Sequence, residues 1–273
     1  MKVWLNGDLV GEGEARIRVD DRGFLLGDGV FETIAVRDSN PLRLERHLAR
    51  LAHGLRVCGI VPPYSRDDLE AAVRRTAEEN GIEHGTIRLT VSRGPAPRGL
   101  RPPTKASPSV LIMAFVQSLA PPKPVKAVIA ASTRRNEHSP LSRIKSLNYL
   151  EGILALKEAE DRGADEALLL NTAGFLAEAS AANVFCVIGG KTATPPTRDG
   201  ALPGVMRAAV IEAIGAAEQS ITPDQLESAS EVFLSNSGGI RAVVEIDGRR
   251  VGKGRSGPVQ NSLGGLMLGR EKI

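Results

Sequence analysis

Lys145 is the lysine whose surroundings best suit covalent chemistry. Most of the nine lysines lie among charged, proline, glycine or serine residues, but Lys145 lies beside Ile144 and Leu147, directly before an apolar segment. Partial removal from water favours the neutral amine, which is the nucleophilic form. A lysine that extends its aliphatic stem along an apolar surface at a helix start gives the same pattern. The position therefore makes Lys145 a candidate nucleophile and no more.

Glu178 is a lone carboxylate in the otherwise small and apolar stretch 172–185, TAGFLAEASAANVF. A carboxylate that enters a core needs a partner. A protonated pyridine nitrogen is one such partner, and pyridoxal phosphate acts as an electron sink only while that nitrogen stays protonated. A hydrogen-bonded core glutamate or an exposed loop glutamate would also explain the pattern. Lys145 and Glu178 together suggest pyridoxal chemistry without establishing it.

The elements that must position Lys145 and Glu178 are strands and helices that alternate along the chain. The segment 30–36, VFETIAV, is β-branched and alternating, which predicts a strand, and leucines at 44, 48, 51 and 55 recur at helical spacing. Residues 17–28 are expected to form an extended piece and a glycine-rich turn. Ser65 and Asp68 resemble a capping box for a helix that Gly81 closes, and a further helix is expected from about 147 to 162. Further strands are predicted at 2–6, 86–92, 110–116, 125–131, 166–170, 183–188 and 231–234, and another helix near 204. This mixture indicates an α+β or α/β fold.

The domain boundary is predicted at residues 119–124, LAPPKP. Three prolines in six residues make a stiff joint. The 273 residues are enough for two modest domains. The prediction is an N-terminal domain at 1–118, a linker at 119–124 and a C-terminal, cofactor-binding domain at 125–273.

Composition argues against several classes of protein. The 35 cationic residues are dispersed among 32 anionic ones, so nothing indicates a nucleic-acid or membrane partner. The four histidines and two cysteines lack metal-ligand spacing, so no metal site is predicted. The start of the chain is too polar for a signal peptide, and the longest apolar run, 110–116, is too short to cross a bilayer. These features predict a cytoplasmic protein.

Six motifs occur in order over most of the chain, namely DRG at 21–23 with GDGVFE at 27–32, RHLARL at 46–51, IKSLNY at 144–149, GADEA at 163–167, AEAS at 177–180 with Asn183, and LPGVMR at 202–207. Together they resemble the class IV, or fold-type IV, pyridoxal-phosphate aminotransferases. The resemblance implies a two-domain fold with a smaller N-terminal α/β domain and a larger C-terminal domain built on a barrel-like sheet. It also implies a homodimer with shared active sites.

The same resemblance implies a role for each candidate site residue. Lys145 would hold pyridoxal phosphate as a Schiff base and act as the general base. Glu178 would keep the ring nitrogen protonated, and Tyr149 would contact the ring oxygen. The phosphate would be bound by Arg50, Gly204, Val205, Met206 and Ser237. Because Gly204 and Val205 open a predicted helix, a phosphate there would also benefit from the helix N-terminus.

The expected substrate positions are Phe31, Arg98 and Leu100. Arg98 resembles the arginine with which D-amino-acid aminotransferases grip the substrate carboxylate, but Phe31 and Leu100 replace the tyrosine and histidine of that grip. We expect an aminotransferase acting on D-amino acids or (R)-amines, with pyruvate or 2-oxoglutarate as acceptor. Aminodeoxychorismate lyase is the second candidate, since the loop 92–99 and Phe31 also resemble that enzyme. A branched-chain L-amino-acid aminotransferase, which the segment 243–248 resembles, and a non-enzymatic binding protein are further alternatives.

Overall fold

The computed structural model describes residues 1–118, 120 and 122–269 in two compact units. Unit 1 contains residues 1–118 together with Ile144–Asn148, and unit 2 contains the other described residues. The predicted C-terminal domain included Ile144–Asn148, but the backbone of this segment pairs with a strand of unit 1. Leu119 and Pro121 of the predicted linker lie outside the described residues.

Unit 1 is built on a six-stranded antiparallel sheet with the strand order β2-β1-β6-β5-β3-β4. The long central strands are rich in β-branched and other apolar residues, as predicted from their alternation. Residues of the hydrophobic core such as Ile34, Ile87 and Ile112 are completely buried. The strands are β1 (Lys2–Leu5), β2 (Asp8–Gly11), β3 (Gly29–Arg37), β4 (Asn40–Pro41), β5 (Gly85–Ser92) and β6 (Ser109–Val116).

Three helices accompany this sheet, namely α1 (Arg22–Leu26), α2 (Leu44–Cys58) and α3 (Arg66–Glu79). The four leucines of α2 are buried, which confirms the helical spacing. Ser65 and Asp68 form the predicted capping box at the start of α3. The expectation of an extended piece and turn at 17–28 is wrong in part. The Asp21 side chain accepts a hydrogen bond from Gly23 N and caps the five-residue helix α1, and Gly27 (φ 66°) follows its last residue.

Unit 2 is built on a mixed nine-stranded sheet in which β7 runs parallel to both β14 and β8. Eight of its strands lie side by side in the order β12-β11-β10-β13-β14-β7-β8-β9, and the ninth, β15, pairs with β14. The strands are β7 (Val125–Ile129), β8 (Glu166–Leu170), β9 (Leu176–Ala179), β10 (Asn183–Ile188), β11 (Lys191–Thr194), β12 (Ala217–Glu218), β13 (Glu231–Asn236), β14 (Gly239–Ile246) and β15 (Arg249–Arg250). Only three residues join β9, at one end of the sheet, to β10, the third strand from the other end, so the sheet curls into a half-barrel.

Four helices belong to unit 2, namely α4 (Leu150–Asp161), α5 (Val205–Ile214), α6 (Pro223–Glu227) and α7 (Pro258–Ser262). The predicted helix start at 147 is three residues too early, because the backbone of residues 145–147 is hydrogen-bonded to β3. The predicted α/β class with a barrel-like sheet is confirmed. Among the described residues, none of the helices has the length and apolar run needed to cross a membrane.

Candidate functional site

Lys145 lies in an extended segment of unit 1 that is hydrogen-bonded to β3. Phe31 N donates to Lys145 O (2.9 Å), and Leu147 N donates to Gly29 O (3.0 Å). These backbone bonds fix the segment on both sides of the lysine. The Lys145 ammonium nitrogen lies 4.4 Å from the centre of the Phe31 ring, within cation–π distance. The half-buried Lys145 is therefore held at a defined place on the sheet.

Glu32 is a completely buried carboxylate next to Phe31 on β3. Arg50 donates to it from Nε (2.8 Å, to Oε1) and Nη2 (2.7 Å, to Oε2), and His47 Nδ1 lies 2.7 Å from Oε2. Burial acts to raise the pKa of Glu32, but the hydrogen bonds from Arg50 and His47 together hold that pKa below its ordinary value. Glu32 is therefore an anion bonded to two side chains of α2.

His47 is the neutral member of this cluster. Burial lowers the pKa of His47 below its ordinary value, and the charges of Arg50 and Lys145 act in the same direction, whereas Glu32 acts against them. Because the Glu32 carboxylate can only accept, the neutral ring donates its Nδ1–H. Sequence reasoning missed Glu32 and His47. The alternation of Val30, Glu32 and Ile34 placed a carboxylate on the buried face of a strand, and this signal could have found Glu32.

Arg50, which was predicted to bind phosphate, lies on α2 with its side chain only 10% exposed. It is therefore not a surface arginine. The other predicted residues of unit 1 differ in exposure. Phe31 is buried and has the Arg88 guanidinium carbon 3.7 Å from its ring centre. Arg98 and Leu100 lie in the loop between β5 and β6, where both are exposed.

Glu178 lies on β9 of unit 2 and is 9% exposed. Arg135 Nε is 2.9 Å from Glu178 Oε1, and Leu202 N donates to Oε2 (2.9 Å). A cation and a backbone amide both stabilise the carboxylate form. Sequence reasoning found Glu178 but missed Arg135, because nothing in a loop 43 residues earlier marks it as a partner.

The turn before α5 is the predicted phosphate-binding segment. Asn183 Nδ2 donates to Leu202 O (2.8 Å), and a Cβ atom at Gly204 would lie 2.0 Å from Asn183 Oδ1, so a side chain there would displace the Asn183 amide. Among the described residues no side chain caps α5, and its first turn has no acidic residue. The Met206 side chain packs in a hydrophobic core, which leaves only its backbone for a ligand. The N-terminal amides of α5 are thus suited to an anion.

Tyr149 and Ser237 are the remaining predicted residues of unit 2. Tyr149 is half-buried and directly precedes α4. Ser237 is half-buried in the turn between β13 and β14. The neighbouring Asn236 Nδ2 donates to Ala181 O (3.2 Å), so this turn is bonded to the turn that follows Glu178. Unit 2 therefore places Glu178, the α5 turn and the Ser237 turn on connected segments.

Residues 29–246 match the model of the family described as amino-transferase class IV. A putative branched-chain-amino-acid aminotransferase of Methanocaldococcus jannaschii is 35% identical over 271 residues, covering 96% of this chain and 94% of that protein. A D-alanine aminotransferase of Staphylococcus epidermidis is 31% identical over 269 residues, covering 96% and 95%. The chain belongs to the class IV aminotransferase family.

Solved structures agree with this assignment. The branched-chain aminotransferase of Escherichia coli has a TM-score of 0.93 at 29% identity, covering 99% of this chain and 94% of that one. A putative 4-amino-4-deoxychorismate lyase from Legionella pneumophila has a TM-score of 0.83 at 33% identity, covering 94% and 96%. Another branched-chain amino acid aminotransferase, complexed with N-(5'-phosphopyridoxyl)-L-glutamate, has a TM-score of 0.89 at 29% identity, covering 98% and 92%.

The chain is accordingly a pyridoxal-phosphate-dependent transaminase whose substrates are amino acids and 2-oxo acids. The donor set fits this cofactor. A primary amine suits its aldehyde, a carboxylate paired with arginine suits its protonated ring nitrogen, and an uncapped helix N-terminus suits its phosphate. Unit 1 carries such an amine at Lys145, and unit 2 carries such a carboxylate at Glu178 and such a helix start at α5.

Proposed function

We propose that Lys145 attaches the cofactor covalently and that Glu178 pairs with its ring nitrogen. Arg50, Ser237 and the backbone of Gly204, Val205 and Met206 would bind the phosphate, and Tyr149 would contact the ring. Bound pyridoxal phosphate supplies an electrophilic carbon and an electron-withdrawing ring that make the substrate Cα proton easier to remove. The family assignment and the donor set support these roles.

Lys145 would also move the proton. The Lys145 amine would act as the base that takes the proton from the substrate Cα. The hydrogen bonds between Ile144–Asn148 and β3 would keep the backbone of Lys145 in place for this role. The anionic Glu32 in turn orients Arg50, so that its guanidinium does not need to be ordered when phosphate binds.

We further propose that the amino donor is a D-amino acid or related (R)-amine and that pyruvate or 2-oxoglutarate is the acceptor. The observation that carries this proposal is Arg98, a cation on an exposed loop, which matches the carboxylate-binding arginine of D-amino-acid enzymes. The D-alanine aminotransferases among the relatives support it. Because Phe31 and Leu100 are apolar, binding of the substrate carboxylate would depend more on Arg98 than it does in those enzymes.

Branched-chain L-amino acids are the second candidate donors. They are supported by the relative from Methanocaldococcus jannaschii and by the similarity to the Escherichia coli structure. Elimination from aminodeoxychorismate is the third candidate reaction, and the Legionella pneumophila neighbour supports it.

A half-reaction separates the three candidates. Purified, cofactor-loaded protein is mixed with D-alanine or with L-leucine in the absence of an acceptor, and conversion of the cofactor to its amine form is followed by absorbance. We expect conversion with D-alanine. Conversion only with L-leucine would replace the proposal by the branched-chain activity. No conversion with either, while the cofactor is bound, would favour the lyase. Lys145→Ala is the inactive control.

We propose that the enzyme works as a homodimer and that one face of α4 contributes to the interface. Ala155 and Ala159 of this helix are buried, whereas Leu150, Ile153 and Leu154 are 51–66% exposed on another face. Three large apolar side chains at helical spacing are costly in water unless a partner covers them. Ile153→Glu should shift the mass in sedimentation equilibrium from dimer towards monomer, whereas Lys191→Glu, at an exposed position of β11, should not. A monomeric parent protein would contradict the proposal.

A further inference from the structure

The loop between β5 and β6 is exposed, but both of its ends are bound to one buried carboxylate. Asp21, which is 2% exposed, accepts a hydrogen bond at Oδ2 from Ser92 Oγ (2.9 Å) and another from Ser109 Oγ (2.7 Å). Ser92 is the last residue of β5 and Ser109 the first of β6. Asp21 therefore joins the two stems of the loop that carries Arg98 and Leu100.

Arg22 holds the same loop near its tip. Its buried guanidinium donates from Nη1 to Gly99 O (2.7 Å) and from Nη2 to Leu100 O (3.0 Å), while Nε donates to Asp28 Oδ2 (2.7 Å). The planar fork of arginine matches two consecutive carbonyls, which a lysine ammonium cannot do in the same geometry. The two carbonyls directly follow Arg98.

Asp28 anchors this arrangement through a second arginine. Arg93 donates to both Asp28 oxygens (2.8 and 3.0 Å) and also to Cys58 O and Gly59 O at the end of α2. Burial acts to raise the pKa of Asp28, but the hydrogen bonds from Arg93 and Arg22 hold it below its ordinary value. Asp28 thus stays charged and keeps Arg93 as a partner even if Arg22 is replaced.

We propose that Asp21 and Arg22 are positioning residues that fix Arg98 for the substrate carboxylate. This inference rests on the proposed substrate role of Arg98. Asp21 sets the separation of the loop stems, and Arg22 fixes the backbone beside Arg98. Without these bonds the Arg98 guanidinium samples more positions, and substrate binding must order it. The loss therefore appears mainly as weaker substrate binding and not as slower chemistry.

The first readout is trypsin cleavage of the Arg98–Gly99 bond in the cofactor-loaded enzyme, followed by mass spectrometry. Arg22→Gln and Arg22→Lys are compared with Arg18→Gln, which removes a nearby guanidinium that is 71% exposed and pairs with Asp20. We expect Arg22→Gln to speed cleavage of this bond by about tenfold, because local opening becomes easier. Arg22→Lys should lie between Arg22→Gln and the parent, and Arg18→Gln should match the parent.

The second readout is steady-state kinetics with whichever of D-alanine and L-leucine reacts in the half-reaction. We expect Arg22→Gln to raise KM by about tenfold and to change kcat by less than about threefold. Unchanged cleavage, or an unchanged KM, in a folded Arg22→Gln protein would overturn the inference. If that variant does not fold, Arg22→Lys is held to the same criteria.

Arg98→Ala distinguishes the failure of this inference from the failure of the proposed function. If Arg98→Ala raises KM but Arg22→Gln does not, the positioning role is wrong and the substrate role of Arg98 stands. If Arg98→Ala leaves KM unchanged, the proposed substrate role itself is wrong, and the positioning role is overturned with it.

Discussion

Glu32 in unit 1 and Glu178 in unit 2 are both buried carboxylates, and the two are held in different ways. Glu32 in unit 1 is bonded to two side chains of a single helix, Arg50 and His47. Glu178 in unit 2 is bonded to a guanidinium and a backbone amide that come from two distant segments. The first arrangement orders a neighbouring arginine, whereas the second keeps a carboxylate charged at a fixed point. Loss of Glu32 should therefore affect stability most, and loss of Glu178 should affect turnover most.

Replacement of Glu178 should give the largest effect of the series. Glu178→Gln keeps an oxygen for Leu202 N but removes the negative charge, so kcat should fall by about 10²- to 10³-fold, the usual result of deleting one preorganised electrostatic contact. The free energy of unfolding in urea should change by only about 1 kcal/mol. Glu137→Gln is the matched control, since Glu137 is also buried in unit 2 and accepts from Thr172. Equal losses of activity in Glu178→Gln and Glu137→Gln would contradict a role in turnover that is particular to Glu178.

Replacement of Glu32 should instead lower the stability of the fold more than the turnover. Glu32→Gln leaves the Arg50 charge without its buried counter-ion, and the free energy of unfolding should fall by about 3 kcal/mol. Glu70→Gln, which breaks an exposed ion pair with Arg74, should cost no more than about 0.5 kcal/mol. Urea unfolding of the cofactor-free proteins measures both. A Glu32 variant as stable as the Glu70 variant would show that the Glu32 cluster contributes little to stability.

Replacement of Glu158, a carboxylate outside both clusters, should give the smallest effect. Hydrogen bonds from the Ser132 hydroxyl and from Ala131 N and Ser132 N lower the pKa of Glu158 to about 2. A carboxylate whose pKa is lowered in the fold stabilises it above the unfolded pKa of about 4.3, and that contribution disappears as the pH falls towards 2. Glu158→Gln should therefore lower Tm at pH 7 and lower it less at pH 4. A Tm difference that does not depend on pH would contradict this explanation.

Local patterns predicted most of the fold. The alternation of β3, the leucine spacing of α2 and the capping box of α3 are all visible within 15 residues, and each element forms where it was predicted. The helix α1 was missed because five residues with an exposed Phe24 show no periodicity. The start of α4 was predicted too early because residues 145–147 are hydrogen-bonded to β3, which lies more than 100 residues earlier in the chain.

The candidate site was predicted only as separate residues. Lys145 and Glu178 were chosen as candidates because a lysine or carboxylate in apolar surroundings is visible in the sequence itself. The partners of Glu178 were not, since Arg135 and Leu202 are joined to it only by tertiary structure and nothing local marks them as its partners. The binding of the 93–108 loop by Asp21 and Arg22 was missed for the same reason, although both residues lie in a recognised motif.

The central claim is that Lys145 carries the cofactor, and borohydride reduction tests it most directly. The cofactor-loaded protein is reduced and digested, and the peptide that carries the added phosphopyridoxyl mass is sequenced by mass spectrometry. We expect the label on Lys145 alone, no label in Lys145→Ala, and normal labelling in Lys157→Ala, which removes an exposed lysine paired with Asp161. A label on another lysine, or an active Lys145→Ala enzyme, would contradict the account.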